Sequence, residues 1–262
     1  MSKVDSRFLG MSLACVLASS ALAAPKSNLA EIVTTLDGVD DDAAARSAQA
    51  LGDRTEPAAH EALLDLLAWG APASVVVEAL AALAKHPVAT PDLGALRRYA
   101  GHHDARVRSA ALAALAMYPD PSARAAIAHG LRDPDATVRA AAAAAAVKGH
   151  VRAAIDPLLA LLGLGEEPAA RALAAMADPE LVRRIGDQLG KVPDATLALC
   201  LGLVLGRADF GPDSERVEVV RALAKIKDPA ADNALADYVR NTPKNPPRAS
   251  RVEAEKALGG SP

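Results

Sequence analysis

The sequence predicts an all-α solenoid, a stack of similar helix pairs. Segment 73–87 recurs 32 residues later as 105–119, and a third copy, opening at Asp135, follows at an offset of 31. Such self-similarity is typical of stacked helical repeats, whose units bury their apolar faces only against one another. Hydrophobic residues make up 51% of the chain but aromatic ones only 2%, so alanine, a strong helix former, supplies much of the apolar content. No hydrophobic run alternates with the period of two that indicates a β-strand.

The overall charge narrows the classes of partner. The formal net charge is −3 and the isoelectric point is about 6.1. A nucleic-acid partner is disfavoured, because proteins that bind nucleic acid usually present an excess of basic residues. Two cysteines in 262 residues are too few for a disulfide scaffold. We therefore expect a large helical core and no nucleic-acid ligand.

The first 23 residues have the three-part pattern of a secretory signal peptide. Lys3 and Arg7 precede an uncharged apolar stretch, 8–22, and Ala21-Leu22-Ala23 is a cleavage signal. We expect cleavage near Ala23 and export to the periplasm or the extracellular space. The mature chain, 24–262, is then one solenoid.

Three other interpretations of this leader are weaker. A first core helix of the solenoid would need a polar face and caps, which the apolar stretch lacks. A membrane anchor would need roughly 18–20 apolar residues, so we expect no membrane span. A lipid anchor on Cys15 would need leucine three places upstream, where Ser12 stands.

Each repeat is interpreted as a helix A followed by a helix B. Helix A usually begins at a proline, which the first turn tolerates because its missing N–H would be unpaired there. The prolines expected to begin A helices are Pro57, Pro91, Pro121, Pro179 and Pro229. Helix B opens with an acidic cap. The predicted A/B pairs are 28–36/41–51, 57–69/73–85, 91–101/105–117, 121–132/136–148, 152–163/167–176 and 180–190/194–206. Asp213–Ile226 is then interpreted as a further B-like helix, because the irregular stretch around 207–213 is too short for an A helix. Helices 230–240 and 248–258 and a frayed tail from Gly259 complete the chain.

The openings of two B helices resemble the HEAT-repeat family in its short bacterial form. Asp104-Ala-Arg-Val107-Arg108 and Asp135-Ala-Thr-Val138-Arg139 carry the resemblance, which extends over most of the mature chain. The repeats are also similar to those of the HEAT proteins that attach bilins to phycobiliproteins. The resemblance implies a right-handed α-α solenoid with B helices on the concave side. It also implies binding or scaffolding more often than catalysis.

The helix-B arginines Arg108, Arg139 and Arg171 recur near the repeat period. Beside Asp104 and Asp135 they predict a polar ladder between neighbouring units, since a guanidinium group can bridge two loops. The alternative is that these arginines line an anion site.

A second candidate functional site is the turn between helices A and B of the third unit. Residues 97–108 there include four arginines, two histidines and one acidic residue. It could form a metal- or anion-binding site of an enzyme-like kind, or simply be a solvated loop edge. We expect no cofactor and no metal, because His60-Glu61 is the one His-Glu pair and cannot supply a ligand set. Cys200, inside an apolar helix, is interpreted as a buried inert thiol.

The B helices are expected to present an uncharged surface on the concave side. Typical HEAT repeats often carry Glu or Lys at the position where this chain has alanine three times in succession. The candidate partner-binding residues are Val77, Ala81, Ser109, Ala113, Ala140 and Ala144, and Ala116 is expected on the same surface. The sequence therefore favours a non-enzymatic module that binds a protein or peptide. There are two alternatives. The alanines reflect drift in a biased composition, or the protein is an envelope assembly scaffold without a discrete site.

Overall fold

A computed structural model describes residues 28–36, 38, 40–85 and 93–259. These residues form fifteen α-helices and one short 3₁₀ turn, Arg152–Ala154, and contain no β-strand. The leader, with Cys15, lies outside the described residues. Within the described ranges no helix is long and apolar enough to cross a membrane.

The helices alternate between two rows, which we call the A row and the B row. The A row contains α1 (Leu29–Leu36), α3 (Pro57–Trp69), α5 (Leu93–Tyr99), α7 (Pro121–Gly130), α9 (Ile155–Gly163), α11 (Pro179–Gly186), α13 (Asp213–Leu223) and α15 (Ala249–Gly259). The B row contains α2 (Asp41–Gly52), α4 (Ala73–Lys85), α6 (Ala105–Leu115), α8 (Ala136–Lys148), α10 (Glu167–Met176), α12 (Asp194–Gly206) and α14 (Pro229–Asn241). Each B helix packs against the next B helix along the stack and against a neighbouring A helix. The predicted all-α solenoid is thereby confirmed.

Local sequence signals start many of these helices. An aspartate side chain accepts a hydrogen bond from a backbone N–H of the first turn, which would otherwise lack a partner. The capping aspartates are Asp40, Asp104, Asp120, Asp135, Asp178 and Asp228. Four of the helices, α3, α7, α11 and α14, begin at a proline. These helix starts therefore follow from aspartates at the N-cap and prolines at the first position of the helices.

Small residues allow the B helices to pack closely. A Cβ atom added to Gly52 of α2 would lie only 2.5 Å from the Cβ of Ala82 in α4. Farther along the stack, one added to Gly202 of α12 would lie 2.8 Å from the Cβ of Ala234 in α14. Because larger side chains would push the helices apart, the alanine-rich composition is a requirement of the packing.

The helix at 213–223 lies in the A row, so its interpretation as a B-like helix is wrong. It packs against α11 and α15, while α14 packs against α12. Pro229, expected to begin an A helix, consequently begins a B helix. The short connection 207–212 reverses the chain and crosses it to the other row. Consecutive helices joined by short loops lie antiparallel, so the alternation continues without a missing helix.

Candidate functional site

The three alanines of the predicted binding surface are exposed on the B row. Ala81, Ala113 and Ala144 occupy equivalent positions in α4, α6 and α8, and solvent reaches all three. The other three candidates, Val77, Ser109 and Ala140, are half-buried one helical turn earlier. The Ser109 hydroxyl oxygen is itself buried and, among the described residues, has no hydrogen-bond partner. The Ser109 side chain therefore presents no polar atom to the surface.

One residue of helix α6 was assigned to the wrong side. Ala116 follows the helix and is almost fully buried, whereas the sequence placed it on the exposed surface. Ala116 caps the helix in a helical conformation, and its N–H donates to the Leu112 carbonyl, so it lies directly beside the buried face of α6 that Leu112 and Leu115 form.

The exposed alanines belong to a longer series. Equivalent positions in α2, α10 and α12 also carry exposed residues without charge. The uncharged row, as we call it, consists of Gln49, Ala81, Ala113, Ala144, Ala175 and Leu203. The offsets of 31 and 32 residues could have revealed Ala175 and Gln49 from the sequence. Leu203 follows after a shorter interval, so the period could not reveal it.

A cavity of about 620 Å³ lies at one end of the uncharged row, between α12 and α14. Leu199, Leu203 and Ala234 supply apolar lining, and Leu203, 37% exposed, belongs to both features. Asn233 and Asn241 of α14 add polar groups that solvent can reach. A mostly apolar concavity with a few polar groups suits an apolar side chain of a ligand. Sequence reasoning missed this cavity, because α14 was assigned to the other row.

Two periodic arginines connect neighbouring units. Arg108 donates from Nε and Nη2 to the carboxylate of Asp133, both at 2.8 Å, and from Nη1 to the carbonyls of His102 and His103. The pair is largely shielded from solvent. The hydrogen bonds from Arg108 hold the pKa of the Asp133 carboxyl below its ordinary value. This guanidinium group thus fastens its own loop to the loop of the next unit.

Arg139 repeats the arrangement one unit later. Its Nε donates to Glu166 at 2.8 Å, and its Nη1 donates to the carbonyls of Asp133 and Pro134 at 2.9 and 3.0 Å. Asp133 therefore takes part in two successive connections, through its carboxylate and through its carbonyl.

The acids assigned to the ladder have a different role. Asp104 and Asp135 cap their own helices, accepting from the backbone N–H of Arg106 and Thr137, each at 2.8 Å. Hydrogen bonds from the Arg106 side chain and backbone lower the pKa of Asp104 to about 2. The bridging acids are instead Asp133, which precedes the cap Asp135 of α8, and Glu166, which stands at the N-cap position of α10 but does not cap the helix through its side chain.

Arg171 does not take part in the ladder, which corrects its assignment. It reaches only the exposed Glu167 of its own helix, at 3.3 Å. Its position in α10 is equivalent to that of Ser109 and Ala140, while buried Ala170 occupies the ladder position. A shift of one residue turns a side chain by about 100° around a helix, so Arg171 lies on the exposed surface.

Several polar side chains of the 97–108 edge form contacts within the edge itself or with the loop of the next unit. Arg106 forms an ion pair with Asp104 at 2.7 Å, and Arg108 is held by the contacts above. His102 Nδ1 accepts from the Asp104 N–H at 3.1 Å, and the His102 and His103 rings lie 4.1 Å apart. Within the described part of the chain no group of three or more His, Cys, Asp or Glu residues is arranged to hold a metal ion.

Cys200 lies in the interior of α12. Its side chain is fully buried, and burial raises the pKa of the thiol to about 12. A protonated, inaccessible thiol is a packing residue, not a nucleophile.

Comparisons with known proteins agree with this architecture. The family of HEAT repeats matches residues 63–148 and 90–178. The complex of CpcE and CpcF of phycocyanin lyase from Nostoc sp. PCC7120 is similar in structure, with a TM-score of 0.51 and 19% sequence identity over 91% of this chain and 96% of that chain. No curated protein matches the sequence. The chain therefore contains HEAT repeats in a helical solenoid, and at this identity the likeness concerns the fold alone.

Two further solved structures are similar at a lower level. An engineered protein has a TM-score of 0.38 and 17% identity over 87% of this chain and 97% of that chain. A designed armadillo repeat protein has a TM-score of 0.38 and 16% identity over 88% of this chain and 99% of that chain.

Proposed function

We propose that this HEAT-repeat protein is an exported, non-enzymatic module that binds a protein or peptide along the uncharged row. The observation that carries the proposal is the exposure, in six consecutive B helices, of an uncharged residue at the equivalent position. Solvent-exposed helix positions normally carry charged residues, and 23% of this chain is charged.

The chemistry of the row favours a macromolecular ligand. Alanine side chains let a partner backbone approach the helices closely, and the row passes over several units, which is farther than a small molecule extends. The cavity beside Leu203 offers a place for an apolar side chain of the same partner. A solenoid presents such an extended surface because each repeat adds one helix to it.

The proposal is tested by placing charge on the row. The double variant Ala113→Glu, Ala144→Glu introduces two carboxylates that a bound partner would desolvate, at a cost on the order of 2–5 kcal/mol each when unpaired. Because both alanines are exposed, the melting temperature of the free protein stays within a few degrees. The matched control is Ala125→Glu, Ala153→Glu, which adds the same charge at exposed positions of α7 and the adjoining 3₁₀ turn.

The readout is quantitative capture of proteins from an envelope extract of the exporting cell. We expect the row variant to lose the partners that the wild-type protein and the control variant retain. Equal capture by all three proteins would place the binding site elsewhere. Unfolding of the row variant would instead show that the alanines belong to the core.

Export is tested separately by sequencing the N-terminus of protein recovered outside the cytoplasm. We expect the chain to begin near Ala24, because the signal Ala21-Leu22-Ala23 ends the apolar stretch. An intact Met1, or a lipid on Cys15, would contradict the proposal.

A further inference from the structure

The most unusual exposed side chain of the described residues is Trp69, at the C-terminal end of α3. It is the sole tryptophan of a chain in which only 2% of residues are aromatic, and 91% of its surface is exposed. Leaving a tryptophan in water forgoes the large stabilisation that burial of its ring would give. Exposed tryptophans are also among the residues that most often dominate the affinity of protein interfaces.

Trp69 borders an apolar groove of the A row. A cavity of about 820 Å³ lies between α1, α3 and the turn at 70–72. Its apolar lining comes from both helices and the turn and includes Leu29, Val33, Leu66 and Pro72. The groove and the ring together form a continuous apolar surface at the N-terminal end of the stack, in the row opposite to the uncharged row.

The described charged residues that line this groove are all acidic. Glu61 and Asp65 line it, one helical turn apart and directly before Trp69 on the same side of α3. Both carboxylates are exposed, and no lysine or arginine of the described residues lines the groove. Among the described residues neither carboxylate forms an ion pair. Fourteen other carboxylates of the described stack, both exposed and shielded, form ion pairs.

We propose that this groove is a second docking surface, which binds a cationic and apolar segment of a partner protein. A lysine or arginine of the segment pairs with Glu61 and Asp65 and lies against the face of Trp69, where a cation is attracted to the aromatic ring. Apolar side chains of the segment fill the groove between α1 and α3. Anionic lipid is not the ligand, because the two carboxylates repel it.

This surface is independent of the uncharged row. The two surfaces lie in opposite rows of helices, so loss of one leaves the other intact. The protein then connects two partners instead of sequestering one.

The test uses the full-length chain and two synthetic peptides. Both peptides share one amphipathic apolar pattern without tryptophan; the first carries lysine at its polar positions and the second carries glutamate. Emission from the single tryptophan reports binding directly. We expect the lysine peptide to shift Trp69 emission to shorter wavelength, with an affinity that falls as salt is raised, and the glutamate peptide to leave it unchanged.

Two variants test whether the lysine peptide binds in the groove. Glu61→Gln, Asp65→Asn removes both charges and should weaken binding of the lysine peptide by at least about tenfold. Trp69→Ala, measured by calorimetry, should weaken it at least as much. The control Glu180→Gln, Asp232→Asn removes two exposed carboxylates of α11 and α14 and should leave the affinity unchanged.

Three outcomes would overturn the proposal. The first is equal binding of both peptides, or of wild type and the Glu61/Asp65 variant. The second is binding of anionic vesicles but not of the lysine peptide. The third is emission typical of a buried indole in the free full-length chain, because the groove would then be filled without a partner.

Discussion

The middle of the stack and its C-terminal end use arginine in different ways. In α6 and α8, Arg108 and Arg139 bind the carbonyls of the loop before their own helix and also a carboxylate of the next unit. In α13 and α15, Arg216 and Arg251 also bind carbonyls of the preceding loop. Neither of these C-terminal arginines reaches an acid in a following unit. The regular period thus provides shielded connections between units, whereas Arg216 and Arg251 stabilise the turn before their own helix. Arg221 of α13 does pair with Glu253 of α15, but its side chain is exposed to solvent.

A buried polar cluster connects the C-terminal helices instead. The Ser250 backbone N–H donates to Asp213 at 3.1 Å, and the Ser250 hydroxyl also bonds to that carboxylate. Tyr238 Oη and Ser250 Oγ lie 2.6 Å apart, so α13, α14 and α15 are joined through one serine. Burial raises the pKa of Asp213, but the hydrogen bonds from Ser250 and the Ala249 N–H, together with the charge of Arg248, leave the pKa below its ordinary value.

The largest effect is expected for Arg216→Ala. This side chain is almost fully buried and donates to the carbonyls of Leu205, Arg207 and Ala208 at 3.0, 2.8 and 3.2 Å. Removing it leaves buried acceptors without donors, so we expect a loss of about 3 kcal/mol in the free energy of unfolding. Urea unfolding followed by circular dichroism measures the loss. A change below about 0.5 kcal/mol would mean that water replaces the guanidinium group without cost.

A smaller loss, about 2 kcal/mol, is expected for Arg139→Ala, because its side chain and Glu166 remain partly in contact with solvent. The control is Arg97→Ala, an exposed arginine of α5, which should change stability by less than about 0.5 kcal/mol. Equal unfolding midpoints for the two variants would show that the ladder does not contribute to stability.

The smallest effect concerns pH. The pKa of Asp133 is lowered in the folded state, so its contribution to stability is present above the unfolded value of about 3.9 and is lost as pH falls through the lower folded value. We expect wild-type stability to decline on acidification below about pH 4. Asp133→Asn should cost about 1 kcal/mol at neutral pH and show a shallower decline. A slope identical to that of the wild type would show that other carboxylates carry the acid sensitivity.

The candidate surface could be predicted from the sequence only where the repeat is regular. Ala81, Ala113 and Ala144 follow from the offsets of 32 and 31 residues, and Ala175 would have followed by one more step. Leu203 could not, because it follows Ala175 after a shorter interval. The cavity beside it could not, because the helices after 207 change row relative to the pattern. Arg171 was assigned wrongly for a related reason, since a displacement of one residue moves a side chain to another face.

The sequence by itself determined the helical class, the repeat and many of the helix starts. These features depend on spacing within a few residues, as in the capping of α6 and α8 by Asp104 and Asp135. Only the tertiary structure decided the row of each helix and the acid that each arginine reaches. Asp133 and Glu166 stand 25 and 27 residues beyond their arginines, and such distant pairs form because adjacent units pack, which no local pattern specifies.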